Sequence, residues 1–233
     1  MTARWHEGDA GALAQRVAGL LAAACAARGH ALLAVSGGRS PVALFEALAG
    51  APVPWAQVVI TLVDERAVLP PHADSNAQLV QRHLLQGAAA QARFVPLVDG
   101  TVGLDDLPAL ALRANQCVGP WLQRGPVDVL LLGMGEDGHT ASLFAHAQGI
   151  DAAAAPGTSL GYFAVQPPAP VPHARLTLGL AEILRARHIV VQTAGDAKAA
   201  VLRRALQGAQ ADLPMSWLLS RRHDDIELWR THA

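Results

Sequence analysis

Apolar positions along this chain follow two rhythms. Leu13, Val17, Leu20, Leu21 and Ala24 recur at helical spacing and give one apolar face, with Asp9 placed as an N-cap and Gly29 as a terminator. Short, mostly apolar runs at 31–35, 57–63 and 127–132 read instead as buried strands, and 93–97, 162–165 and 189–193 read as strands too. Helical patterns stand between them at 42–48, 77–85, 105–117, 180–185 and 196–205. Buried strands alternating with helices predict an α/β domain with a mainly parallel central sheet. Four details belong to the same reading. Ser40 caps the helix at 42–48 with Pro41 in its first position, and Gly119-Pro120 closes the helix that starts at 105. Segments 152–156 and 167–172 are irregular, and 226–229 alternates like an edge strand.

The strand at 127–132 runs into Gly133-Met134-Gly135-Glu136-Asp137-Gly138-His139-Thr140-Ala141-Ser142-Leu143-Phe144. Ligands of open parallel sheets bind beyond the carboxyl ends of the strands, where this loop must lie. Its glycines allow a tight turn, and within that turn stand one carboxylate, Asp137, and one imidazole, His139. The glycines also spell G-x-G-x-x-G. Yet Glu136 and Asp137 would set two negative charges beside a pyrophosphate, and the chain about 20 residues on has no strand ending in an acid. A dinucleotide site is therefore disfavoured.

Other strand ends carry cations. Ser36-Gly37-Gly38-Arg39-Ser40-Pro41 joins a strand to a helix N-terminus, the arrangement of a phosphate cradle. Asp64-Glu65-Arg66 puts three charges at the end of the next strand. Lys198 falls in the first turn of a helix, where the dipole prefers anions, so a phosphate would explain it. Arg39, Arg66, Arg175 and Lys198 thus converge as cations around Asp137 and His139, an acid–base pair suited to proton transfer near neutral pH.

The long central motif resembles the signature of the 6-phosphogluconolactonases, a family related to the glucosamine-6-phosphate deaminases. The resemblance extends to Ser36–Pro41, Asp64-Glu65-Arg66, Ser75-Asn76, Pro172-His173-Ala174-Arg175-Leu176-Thr177 and Gly195-Asp196-Ala197-Lys198. Where the family carries Ser-Thr, this chain has Arg39-Ser40. The resemblance implies a Rossmann-like, three-layer α/β fold with helices on both faces of the sheet, spanning 1–233 as one domain. It implies hydrolysis of 6-phospho-D-glucono-1,5-lactone to 6-phospho-D-gluconate. His139 would then be general base and Asp137 would orient it. Gly37, Gly38, Arg39, Ser40, Asp64, Arg66, Gly138, Arg175 and Lys198 would hold the phosphorylated sugar lactone, and backbone N–H groups of the glycine loop would meet the oxyanion. An activated ester opens without redox chemistry, so neither metal nor cofactor is called for. The deaminase alternative needs a glutamate that the stretch 140–145 lacks. A sugar-phosphate sensor would keep Arg66 and Lys198 without needing His139.

Composition narrows the partners. With 52% hydrophobic and 16% charged residues a large core is available, and a formal charge of −1 argues against a nucleic-acid surface. Two cysteines, Cys25 and Cys117, in apolar helical contexts read as buried free thiols and fit a reducing cytoplasm. Ten histidines are present, but no C-x-x-C or His-x-x-x-His spacing suggests a metal site. The apolar stretch 17–27 follows Glu7 and Asp9, which a signal peptide's basic start should lack, and no run reads as long enough to cross a membrane. A monomer or small homo-oligomer is expected.

Overall fold

The helical face read at 13–24 is the buried face of α1 (Ala10–Arg28). The Asp9 side chain accepts from Ala12 N at 2.7 Å and Gly29, at φ 75°, turns the chain out of the helix. This computed structural model describes residues 4–222 and 226–231. At 19 residues and a mean hydropathy of 1.4, α1 is in fact long and apolar enough to cross a membrane on length and composition. Its Leu13, Val17 and Leu21 are fully buried in the core that it shares with the sheet.

Seven strands make that sheet: β1 (Arg4–Gly8), β2 (Ala31–Val35), β3 (Val58–Leu62), β5 (Arg93–Val95), β6 (Val129–Leu132), β9 (His188–Ala194) and β10 (Ile226–Thr231). Their order is β1-β10-β9-β6-β2-β3-β5, and every pairing is parallel. From β2 the chain steps outward through α2 (Val42–Ala49) to β3, and through α3 (Asn76–His83) to β5. It then returns by α4 (Leu107–Leu122) to β6, on the opposite side of β2. The strand order therefore reverses between β2 and β6, and the loops leaving these two strands diverge there to open a crevice. Right-handed crossovers put α1, α2 and α3 on one face. They put α4, α6 (Leu180–Arg185), α7 (Asp196–Ala205) and α8 (Pro214–Arg222) on the other. The α1–α2, α2–α3, α6–α8 and α7–α8 contacts agree.

A second, antiparallel sheet of β4 (Asp64–Arg66), β8 (Arg175–Leu178) and β7 (Tyr162–Val165) lies just past the end of β3. It carries Asp64 and Arg66 into the region of the crevice.

The structure corrects several local expectations. Pro41, without a side-chain hydrogen bond, is the N-cap of α2, and Ser40 does not cap it. Helix α4 runs through Gly119-Pro120 to Leu122, since Pro120 sacrifices a single backbone donor near the end of a well-packed helix. A short helix, α5 (Ile150–Ala154), replaces part of the irregular segment. Strand β10 is interior, not an edge. Its alternation misleads because Glu227, buried, is satisfied by Arg16 (Nη2 to Oε1 2.5 Å) and accepts from Trp229 Nε1 at 3.3 Å. The edge on that side is β1, whose Arg-Trp-His-Glu-Gly offers no apolar run to read. Cys25 is buried, whereas Cys117 is only half-buried.

Candidate functional site

Strand β2 delivers Ser36 to Pro41 into the crevice, β6 delivers Gly133, Met134, Gly135, His139 and Ala141, and α7 brings Lys198 in its first turn. Together with Asp64, Arg66 and Asn76 they line a cleft of about 210 Å³.

The catalytic candidates sit in one tight turn. His139 Nδ1 lies 2.5 Å from Asp137 Oδ1, and the same oxygen accepts from His139 N at 3.2 Å. The imidazole stacks on Phe144, centroids 4.2 Å apart, and faces the cleft. With Nδ1 engaged by the carboxylate, Nε2 is the nitrogen left for a substrate or water. Partial burial works to raise the Asp137 carboxyl, but the hydrogen bonds and charge of His139 outweigh it and hold the group below its ordinary range. Gly135 makes the arrangement possible. A Cβ there would stand 2.2 Å from His139 Nδ1 and 2.4 Å from Asp137 Oδ1. Two N–H groups of the turn are spent on it, Gly135 N on His139 O at 2.9 Å and Gly138 N on Gly135 O at 3.1 Å. Gly138 and Asp137 do not line the cleft; Gly138 packs against Leu213 instead.

The residues after His139 wire the turn to its neighbours. Thr140 Oγ1 donates to Gly133 O at 2.9 Å, and the buried Ser142 Oγ donates to Asp64 Oδ2 at 2.6 Å. Asp64 is thereby held at the cleft wall. Its neighbour Glu65 points the other way, into the protein. Glu65 Oε1 accepts from Arg66 N and Asn76 N, both at 2.8 Å, and Oε2 accepts from Ala77 N at 2.7 Å and Ser75 Oγ at 3.1 Å. Burial nonetheless leaves the Glu65 carboxyl above the ordinary range, against the pull of those backbone donors. Ser75, accepting from Gln78 N, is the N-cap of α3; Asn76 is not the cap but donates Nδ2 to Asp64 O at 2.8 Å. Its Oδ1 comes so near Gly37 that a Cβ there would be 1.8 Å away.

Among the cations, Arg39 and Lys198 line the cleft, and their side chains have no hydrogen-bond or ion-pair partner among the described residues. Arg66 Nη1 donates to Asp74 O at 2.5 Å and also reaches the cleft. Arg175 stands behind Arg66, its cross-strand partner, and does not line the cleft. It is buried with Nε and Nη1 unpartnered.

Sequence reasoning passed over Ser36 and Gln192. Ser36 Oγ is buried beside the cleft without a partner, and Gln192 Nε2 donates to Ser40 O at 3.2 Å while its side chain lines the wall. A serine just past a strand carried a signal, the first place of the glycine cradle. Gln192, in an apolar strand run, carried none.

Residues 6–228 match the family model described as glucosamine-6-phosphate isomerases/6-phosphogluconolactonase. The chain is 46% identical over 194 residues to a 6-phosphogluconolactonase of Pseudomonas aeruginosa, an alignment covering 83% of this chain and 79% of the relative. It is 43% identical to a 6-phosphogluconolactonase of Pseudomonas putida, covering 94% and 87%. The crystal structure of a 6-phosphogluconolactonase from Shewanella baltica superposes with a TM-score of 0.90 at 33% identity, over 99% of this chain and 98% of that one.

Proposed function

Since the chain belongs to the glucosamine-6-phosphate isomerase/6-phosphogluconolactonase family, we propose that it hydrolyses 6-phospho-D-glucono-1,5-lactone to 6-phospho-D-gluconate, with His139 as general base. The observation that carries this reading is the Asp137–His139 hydrogen bond, which turns a free imidazole nitrogen toward a cleft lined by Arg39, Arg66 and Lys198.

In this mechanism His139 Nε2 takes a proton from the water that attacks the lactone carbonyl. The tetrahedral intermediate collapses with cleavage of the bond to the ring oxygen, which receives the proton back from the imidazole, leaving a carboxylic acid and a free hydroxyl. Asp137 keeps the proton on Nδ1 and stabilises the imidazolium that forms between the two steps. Lys198, Arg39 and Arg66 hold the phosphate, with Arg175 reinforcing Arg66 from behind. Gly135 N and Gly138 N are committed inside the turn, so the oxyanion donors are better sought at Gly37 and Gly38. Ser40 and Asp64 shape the cleft around the sugar, and Gly138 holds the turn that presents His139. The stretch 140–145 offers no carboxylate, which favours the lactonase over the deaminase chemistry of the same family. The whole chain acts as one domain, as a monomer or small homo-oligomer, in a reducing cytoplasm that keeps Cys25 and Cys117 as thiols.

The test is turnover of freshly generated 6-phosphogluconolactone at slightly acidic pH, where spontaneous opening is slow, with wild type beside His139→Ala. A wild-type rate above background that collapses in the variant supports substrate and base together. Turnover that survives in the variant moves the base elsewhere. A wild type that binds 6-phosphogluconate without turnover leaves the fold a sensor.

A further inference from the structure

Beyond the cleft wall, three side chains from two loops gather round one carboxylate oxygen. His72 and Asp74 lie in the segment before α3, and His173 in the segment before β8. His173 Nε2 is 3.0 Å from Asp74 Oδ2, and His72 Nδ1 is 3.9 Å from the same oxygen. Asp74 N donates to His72 Nδ1 at 3.1 Å, so that nitrogen carries a lone pair, which the backbone amide occupies and an ion would take over. The two imidazoles meet edge to face with centroids 5.3 Å apart. One ligating atom from each residue lies within 4.8 Å of the other two.

The chemistry of the set is specific. Two imidazoles and one carboxylate, presented by two loops, match the nitrogen-rich three-ligand sets that leave further positions to water. In a tetrahedral zinc shell with bonds of about 2.0–2.2 Å, neighbouring ligand atoms stand roughly 3.3 Å apart. The 3.0 and 3.9 Å separations bracket that value, so small side-chain rotations reach it. Among the described residues the Asp74 carboxylate is ion-paired with histidines alone; Arg66 holds its carbonyl oxygen instead. Arg66 and Arg175 stand near. Their charge opposes any dication alike, so the donor set decides: two imidazoles and a single carboxylate suit a zinc-type ion better than Mg²⁺ or Ca²⁺, which rely on several oxygen ligands.

We propose that His72, Asp74 and His173 form a site for a late first-row divalent cation of the zinc type, completed by water. Bound there, the ion pins the loop before α3 to the loop before β8, and so fixes β4 and β8, which carry Arg66 and Arg175.

The experiment is calorimetric titration of the untagged, metal-free full chain with Zn²⁺ and separately with Mg²⁺. It is repeated on His72→Ala and on His173→Asn, the latter keeping a residue that tolerates the left-handed backbone at that position (φ 64°). Far-UV circular dichroism checks that both variants are folded. The expected result is one equivalent of Zn²⁺ bound by wild type with a rise in melting temperature, little Mg²⁺ binding, and at least tenfold weaker Zn²⁺ binding in each variant. The proposal is overturned by absent Zn²⁺ binding, by equal affinity for Mg²⁺, or by Zn²⁺ binding unchanged in the variants, which would place the ion elsewhere. Lactone turnover of the metal-free chain is measured independently, so this proposal and the lactonase reading fail separately.

Discussion

Arg66 and Arg175 stand directly opposite each other across β4 and β8, and the second guanidinium is buried with two of its nitrogens unpartnered. Like charges in cross-strand register are destabilising, and a buried donor without an acceptor adds to the cost. Burial first, and then the charge of Arg66, pull the Arg175 guanidinium below its ordinary value, though arginine stays protonated. Under the proposed function the pair serves the substrate phosphate through Arg66, which lines the cleft.

Arg175→Met should therefore leave the melting temperature unchanged or raise it, because it removes an unpaired buried charge while keeping an apolar stem. The same change should raise KM for the lactone roughly tenfold, about 1.4 kcal/mol, by letting Arg66 shift at the cleft, since Arg175 does not itself line it. Thermal melts and initial rates check both. A variant that melts several degrees lower with unchanged KM would make Arg175 a structural residue.

Glu65 gathers four donors from β4 and the first turn of α3 in a buried position. Glu65→Ala strands at least two buried backbone N–H groups, at ~1–3 kcal/mol each. Urea unfolding should show a loss of about 3 kcal/mol or more, and KM should rise because Arg66 and Asn76 lose their anchor. A wild-type urea midpoint would show that water replaces the carboxylate at no cost.

Stability in acid should depend on Asp99. Burial alone would raise its carboxyl, but Thr101 N and Oγ1 and Arg113 Nε and Nη2 donate to it and bring it down to about 2 from 3.8. A depressed folded pKa means stability fully present above the unfolded value and lost as pH falls from about 4 toward about 2. At ~1.4 kcal/mol per unit, discounted for partial exposure, the contribution is about 1–2 kcal/mol. Asp99→Asn should lower stability at pH 7 by that amount and flatten the fall between pH 4 and 2. Chemical denaturation across that range reads it. A fall of equal steepness in the variant would assign the acid sensitivity to other carboxylates.

The central strands and the turn at 133–144 were legible because each carries its own instruction. An apolar run buried on both faces has no alternative to the middle of a parallel sheet, and a glycine-rich turn after it must lie at the crevice. What escaped reading depended on partners distant in sequence. Strand β10 looked like an edge because nothing local reveals that Arg16 neutralises Glu227, and β1 has no apolar pattern at all. Glu65 looked like a third site charge beside Asp64 and Arg66, although only the approach of α3 turns it inward. Gln192 sits in a strand whose neighbours are all buried, and its reach to Ser40 is a product of sheet register.

Gly135 offers the sharpest test of the proposed base, because it can displace the pair without removing either member. Its backbone lies outside the left-handed region, so alanine there is not strained by conformation. The added Cβ, however, would stand 2.2 Å from His139 Nδ1 and 2.4 Å from Asp137 Oδ1, closer than any real contact, and neither group is the free end of a long chain that can swing away. The imidazole must leave its carboxylate or the turn must shift. The cations Arg39, Arg66 and Lys198 are carried by other elements and stay in place. Gly135→Ala should therefore lower kcat by about 10²-fold or more, toward the level set by His139→Ala, since positioned general bases contribute ~10²–10⁴. KM should change little, and the melting temperature should drop only slightly because the added methyl strains an open turn at the cleft. Steady-state kinetics on fresh lactone beside a thermal melt separates the cases. Wild-type kcat in a folded Gly135→Ala protein would mean that catalysis does not depend on the Asp137–His139 geometry, and the base would have to be sought at Asp64.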